Sequence, residues 1–194
     1  QTITSAIPVI DTACIAGVCT ISLSSALPIL TADMTIDGPS IPANLIVRRD
    51  SAAATEFRIF TKAAGTATIS DITIRDGISR GTSGVTGSVA DGGGINHGGG
   101  ALTLGGGIIN FGPLTITGST ISNNTVTGGN STGGAGGVAF GGGIKAYEQL
   151  TISGSTISNN SVTGGTGSTT GGGATGGGIR IQTAAAVVMT DSIV

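Results

Sequence analysis

Two nearly identical stretches decide the fold: LTITGSTISNNTVTGG at residues 114–129 and LTISGSTISNNSVTGG at residues 150–165. They begin 36 positions apart, and their only two differences each exchange a threonine for a serine. A fixed period of this length is typical of proteins built from stacked structural repeats. The repeat therefore governs how every other motif in the chain is interpreted.

Each copy of the repeat has the pattern of short β-strands joined by corners. Leu114 and Ile116 alternate with threonines, as in a strand with one buried face, and the phase changes at Gly118 before it resumes at Ile121. Short runs of Thr and Ile bounded by Gly, Ser and Asn are typical of strands. The glycines and β-branched residues also disfavour a helix.

Further copies lie on both sides of the two long stretches. The same two apolar positions, five residues apart, recur four times along the chain. We predict that corresponding members form two inward-facing columns, the first of Ile69, Ile116, Ile152 and Met189 and the second of Ile74, Ile121, Ile157 and Val194. A second marker, Gly-Gly-Gly-Ile, begins at Gly92, Gly105, Gly141 and Gly176.

These patterns predict an all-β fold, a parallel β-helix or β-solenoid in which each coil buries its apolar face against the next. We expect residues 1–30, which depart from the repeat, to form an N-terminal cap and residues 31–194 to form the coils. The glycine-rich remainders of the period, residues 127–143 and 163–178, are predicted to leave the coil as excursions. We expect these excursions to lie ordered against the solenoid or a neighbouring molecule.

Composition and charge restrict the function classes. The chain has 194 residues with 37 glycines, no tryptophan, 9% charged residues and a net charge of −2. Its eight Lys and Arg form no basic run, so no nucleic-acid partner is expected. No apolar run approaches the roughly 18 residues of a membrane-spanning helix, so no membrane span is expected in this chain.

The two cysteines, Cys14 and Cys19, are close enough in sequence to form a small disulfide loop that would staple the cap. Two buried thiols are the alternative, and the choice depends on whether the protein resides in an oxidising compartment. A zinc site is disfavoured because the only histidine, His97, is far away in sequence. No metal or other cofactor is expected.

The asparagines that recur with the period have two interpretations. Asn123, Asn130 and Asn159 each begin an Asn-x-Ser/Thr sequon and are possible glycosylation sites. Asparagine at a solenoid corner also tolerates left-handed backbone and stacks on its counterpart in a hydrogen-bonded ladder. We favour the ladder for one residue of each pair, Asn124 and Asn160.

The acidic residues raise the alternative of an enzyme that processes polysaccharides. Asp71, Arg75 and Asp76 lie close together in sequence, and Asp33 and Asp37 would lie one or two coils below them. Such a site needs carboxylates that converge on a sugar or on Ca²⁺. Solvated corners are the more common role of such scattered polar residues, and we expect no catalytic residues.

The repeat LTITGSTISNNTVTGG with its Gly-Gly-Gly-Ile marker resembles right-handed parallel β-helix surface proteins, including the polymorphic outer-membrane protein repeat and autotransporter passenger domains. The stretch from Cys19 to Ser40 is similar to the N-terminal part of secreted bacterial β-helix proteins, in which a Cys-Ser/Thr-Leu-Arg-Glu-Ala stretch leads into the first coils. Cys19 and Thr20 match that stretch, but the Arg and Glu are missing here. The resemblance implies right-handed coils and a secreted or cell-surface location.

We therefore expect an extracellular structural or adhesive protein, a rigid stalk, adhesin segment or fibre subunit, with a pectate-lyase-like enzyme as the alternative. The chain stops at Val194 inside a fourth copy of the repeat. Two explanations are open: the polypeptide continues, or another subunit covers the coil in a head-to-tail contact. Expected partners are copies of the chain itself, by head-to-tail or lateral assembly, or glycans and proteins of a surface.

Overall fold

A computed structural model describes residues 2–4, 14–39, 44–84, 102–104, 108–110, 112–182 and 186–194. The regular structure of these residues consists of β-strands. In chain order they are β1 (Thr2–Thr4), β2 (Cys14–Ile15), β3 (Val18–Leu23), β4 (Met34–Asp37), β5 (Asn44–Arg49), β6 (Phe60–Lys62), β7 (Ala67–Ser70), β8 (Ile72–Arg75), β9 (Ile78–Arg80), β10 (Leu102–Leu104) and β11 (Ile108–Asn110). The remaining strands are β12 (Leu114–Thr117), β13 (Thr120–Ser122), β14 (Thr125–Thr127), β15 (Val138–Phe140), β16 (Ile144–Ala146), β17 (Leu150–Ser153), β18 (Thr156–Ser158), β19 (Ser161–Thr163), β20 (Ala174–Thr175), β21 (Ile179–Ile181) and β22 (Val187–Thr190).

The strands stack into five sheets that run along a solenoid. In strand order the sheets are β1-β4-β7-β12-β17-β22, β2-β3-β5-β8-β13-β18, β9-β14-β19, β10-β15-β20 and β6-β11-β16-β21. One full coil passes through β12, β13, β14, β15 and β16 before β17 starts the next coil on top of β12. All strand pairs are parallel except β2 with β3. The all-β parallel solenoid is therefore confirmed, and its right-handed winding stays a prediction.

The two predicted columns lie in register in the structure. Ile116 pairs with Ile69 below and with Ile152 above, and Ile152 pairs with Met189. In the second column Ile121 pairs with Ile74 and Ile157. The isoleucines of both columns are fully buried, whereas the members from the last described coil are exposed, Met189 at 39% and Val194 at 62%.

The corners of the coil explain why small polar residues recur at fixed positions. Two corners have left-handed backbone in successive coils, one at Asp71, Gly118, Gly154 and Asp191 and the other at Asp76, Asn123 and Asn159. Gly, Asn and Asp are the residues that enter this region at the lowest cost. The sequence changes from coil to coil only within this set, so the corners stay aligned.

The glycine-rich excursion is shorter than predicted. Its last third contains β15, because Ala139 is apolar and fully buried in the coil. The remaining part, residues 128–137, leaves β14 and folds back, with Gly137 N donating to Gly129 O at 2.8 Å. It lies ordered against its counterpart in the next coil, as Ser131 N donates to Thr166 O at 2.8 Å.

Residues of the predicted N-terminal cap already belong to the stack of parallel strands. Strands β1 and β3 pair in parallel with β4 and β5. Strand β2 folds back antiparallel on β3 through Ala16 and Gly17, both with positive φ, as a type I′ turn requires. Cys14 and Cys19 face each other across this hairpin and form the predicted disulfide.

The column prediction gives a stability test at the central coil. Changing Ile152 to Ala removes a fully buried side chain and should lower the free energy of unfolding by about 2–5 kcal/mol. The control is Thr151→Ala, a half-buried neighbour on the other face of the strand, which should cost less than about 1 kcal/mol. Urea unfolding followed by circular dichroism measures both, and equal losses would contradict the inward column.

The excursions give a second test, because their glycines allow close backbone contact. A Cβ on Gly165 would lie 2.0 Å from the carbonyl oxygen of Gly129 in the coil below, whereas a Cβ on Gly134 would meet nothing nearer than 3.7 Å. Gly165→Ala should therefore lower the free energy of unfolding by about 1–3 kcal/mol through overpacking. Gly134→Ala is the matched control and should be close to neutral. If both variants unfold at the same urea concentration, the excursions do not pack as described.

Candidate functional site

The acidic residues that suggested catalysis do not form one site. Asp76 lies between two arginines, 3.7 Å from Arg48 Nε and 3.4 Å from Arg75 Nε. Asp37 accepts a hydrogen bond from the Ser70 hydroxyl of the next coil. These carboxylates join neighbouring coils at separate positions along the surface.

The other two acidic candidates also serve corners. Asp33 Oδ1 accepts a hydrogen bond from Thr66 N at 2.7 Å, and Asp71 is exposed in a left-handed corner. Within the described ranges, no three His, Cys, Asp or Glu side chains lie close enough to hold a metal ion. His97 lies outside those ranges. Asp33 therefore serves the corner before β7, and Asp71 occupies the corner after it.

A cavity of about 360 Å³ lies instead beside the first complete coils. It is bounded by the segment before β4, by the segment that leads into β6, and by β9. Its apolar wall comprises Ala26, Leu27, Ile29, Phe57 and Ile78, and its polar wall comprises Thr55, Glu56, Arg58, Thr61, Ser79 and Arg80. Its size and mixed lining are typical of small-molecule sites. We take this cavity as the candidate functional site.

The shape of the cavity is set at the first strand of the sheet β9-β14-β19. Ile78 N donates to Phe57 O at 2.9 Å, so the segment before β6 takes the place of a strand below β9. On the rim of the cavity Arg80 Nε donates to both oxygens of Glu56, at 3.0 and 3.2 Å. This exposed ion pair contributes little to stability, but it holds Glu56, the one carboxylate among the described residues of the cavity wall.

Arg58 is the unusual member of the wall. It is 6% exposed, and its Nη2 donates to the Ser79 hydroxyl at 3.2 Å while its Nη1 has no partner. Burial lowers the pKa of Arg58 to about 10, an effect that the Tyr147 phenol partly offsets. A guanidinium buried without a carboxylate is costly, because a neutral hydroxyl does not compensate the charge.

The repeat pattern does not predict this site, because the site occurs once in the chain. In the stretch EFRIFTK, Arg58 stands at the alternate position before Phe60 and Lys62. Two cations thus share one face of the segment with a buried aromatic residue, and this pattern could have indicated the site from the sequence. Six of the eight Lys and Arg, but only four of the ten Asp and Glu, lie between residues 48 and 80.

Two buried lysines lie in the last sheet. Lys62 is 1% exposed and its Nζ donates to the carbonyl oxygen of Gly65; burial lowers its pKa, partly opposed by Asp33 and Glu148. Lys145 is equally buried. These side chains are cations on strands whose other buried residues are mostly apolar.

Lys145 has an aromatic surrounding. Its Nζ lies 4.4 Å from the ring centre of Tyr147 and 5.5 Å from that of Phe140, and it donates to Gln182 Oε1 at 2.9 Å. Arg180 pairs with it in the next coil. Burial, and then the charge of Arg180, lower the pKa of Lys145 to about 8. Contacts with aromatic faces and the Gln182 amide thus replace a counter-ion.

Polar ladders fill the two corners of the repeating coils. Asn124 is fully buried; its Oδ1 accepts from Gly77 N at 2.9 Å, and its Nδ2 donates to Asn160 Oδ1 at 2.9 Å. A second ladder, not predicted, stacks Ser119 on Ser155 and Ser192, each backbone N–H donating to the hydroxyl above at 3.2 Å. Both ladders satisfy corner backbone groups inside the stack.

The three sequon asparagines, Asn123, Asn130 and Asn159, are exposed. Asn123 and Asn159 occupy left-handed corners beside the ladder residues. Asn130 lies in the excursion, where its Oδ1 accepts from Thr166 N at 2.9 Å. Their exposure is compatible with glycosylation, which stays a prediction.

No family model matches the chain, and neither curated proteins nor solved structures give a match. Among the residues that the structure describes, no helix is long and apolar enough to cross a membrane. The structure by itself therefore defines the class, a parallel β-solenoid with a disulfide-closed hairpin.

The lowered pKa of Lys145 predicts a pH dependence of stability. The folded chain releases this proton near pH 8, whereas the unfolded chain keeps it up to its usual pKa of 10.5. Between these values the unfolded state binds more protons, so the free energy of unfolding should rise with pH. Urea titrations at pH 7.5, 8.5 and 9.5 measure the rise, below the range in which Tyr147 titrates.

Lys145→Met is the matched variant, because it keeps the volume and removes the charge. It should be more stable than the wild type at pH 7.5, and the difference should shrink by pH 9.5. A difference that stays constant over this range would show that Lys145 titrates normally.

Proposed function

We propose that the chain is an extracellular structural or adhesive segment of a cell-surface protein, a rigid β-solenoid stalk or fibre subunit that acts without catalysis. The observation that carries the proposal is the continuous in-register stack, in which Ile, Ser and Asn ladders run from coil to coil. A stack of this kind transmits force along its axis through many parallel hydrogen bonds. The glycine-rich excursions stack in the same register.

The disulfide supports an extracellular location. Cys14 and Cys19 form it at the start of the stack, and such bonds persist in oxidising environments. The resemblance of the repeat to polymorphic outer-membrane protein repeats and autotransporter passenger domains points to the same kind of location. The exposed sequons are compatible with it.

The proposal includes copies of the chain itself as partners, by head-to-tail or lateral assembly, or glycans and proteins of a surface.

The test compares location and activity. In its cell of origin the protein should be cleaved by an added protease that does not enter cells, and peptide mass spectrometry should find Cys14 linked to Cys19. The purified chain, incubated with acidic and neutral polysaccharides, should give no new reducing or unsaturated ends.

Two results would contradict the proposal. The first is a protein protected inside the cell with both thiols free. The second is polysaccharide cleavage that Asp76→Asn abolishes while Asp191→Asn, a control at the other left-handed corner in the last described coil, retains it; this would establish the enzyme alternative.

A further inference from the structure

The wall of the cavity beside β9 contains a cation that no carboxylate among the described residues neutralises, and this bears on what the cavity binds. Arg58 forms part of the wall, and its guanidinium makes a single hydrogen bond, to the neutral hydroxyl of Ser79. The nearest candidate for a counter-ion in the wall, Glu56, is already held by both its oxygens on Arg80. The positive charge of Arg58 is thus left uncompensated next to an open space.

The remainder of the wall includes apolar side chains. Leu27, Phe57 and Ile78 line the space together with polar residues. Phe57 is itself buried and lies under the Arg49 guanidinium, 5.9 Å from ring centre to Cζ. A ligand that suits this wall combines one negative group with an apolar body.

We propose that this cavity binds a small organic carboxylate, with its charge beside Arg58 and its apolar body against Leu27, Phe57 and Ile78. A carboxylate fits the planar, forked donors of a guanidinium better than a spherical anion does. One neutral hydrogen bond holds the guanidinium and its Nη1 has no partner, so a donor of Arg58 is left for a bound carboxylate. The site is independent of the structural role proposed above.

The alternative source of the same charge is an inorganic anion. Phosphate would satisfy Arg58 but would leave the apolar wall without a partner, so the structure favours the organic carboxylate. The two are separated by comparing benzoate, its neutral isostere benzamide, and inorganic phosphate as probes.

The experiment is isothermal titration calorimetry of the disulfide-intact chain with each probe at low salt. We expect benzoate to bind at least tenfold more tightly than benzamide and than phosphate, and to weaken as salt is added. Arg58→Met should reduce benzoate binding to the level of benzamide. Arg75→Gln, which removes a cation of β8 that does not line the cavity, should alter benzoate binding by less than threefold.

Unfolding measurements show whether Arg58→Met is folded, which the binding comparison requires. Arg58→Met replaces a buried, uncompensated charge by an apolar side chain, so its unfolding midpoint should equal or exceed that of the wild type. If this variant fails to fold, the comparison of benzoate with benzamide on the wild type still tests whether the cavity prefers a carboxylate.

Three outcomes would overturn the proposal. Equal affinity for benzoate and benzamide would show that the charge of Arg58 plays no part. Phosphate binding as tight as benzoate would assign the cavity to inorganic anions. Absence of binding by all three probes would show that the cavity takes no anion of this class.

Discussion

Every coil of this chain depends on parallel hydrogen bonds to the coils above and below it. A coil of about 36 residues cannot bury its own apolar face, so burial of Ile116 requires Ile69 beneath it and Ile152 above it. Because parallel pairing fixes register, a residue suited to its place in one coil is suited to the same place in the next. The near-identity of the two long stretches is the consequence of this constraint.

The same constraint determines which polar groups can be internal. At each corner a backbone N–H points along the stack, and a short hydroxyl or amide at the same position in the next coil accepts it. Ser119 and Asn124 are therefore as much part of the stack as the isoleucines. Inside a solenoid a polar side chain is tolerated when its partner is one coil away, at a distance that the strand spacing guarantees.

The sequence predicted what repeats and missed what does not. The spacing of Ile116 and Ile121 predicted the strands, and the repeated copies predicted their stacking order. Both predictions hold because the same position must meet the same packing requirement in every coil. The predicted excursions were too long, because Val138 to Phe140 lie within a glycine-rich stretch of sequence. In the structure Ala139 is fully buried in the coil. Arg58 and its cavity were not predicted, because a site that occurs once in the chain leaves no periodic pattern in the sequence.

This difference separates two kinds of region within one stack. Between β12 and β21 the coils are nearly uniform, and the cations there, Lys145 and Arg180, lie against aromatic rings. Between residues 48 and 80, around the copy that holds Ile69 and Ile74, charged residues are concentrated. Burying an arginine with one neutral hydrogen bond costs free energy that an apolar residue at the same position would not. A carboxylate bound beside Arg58, as proposed for the cavity, would offset this cost.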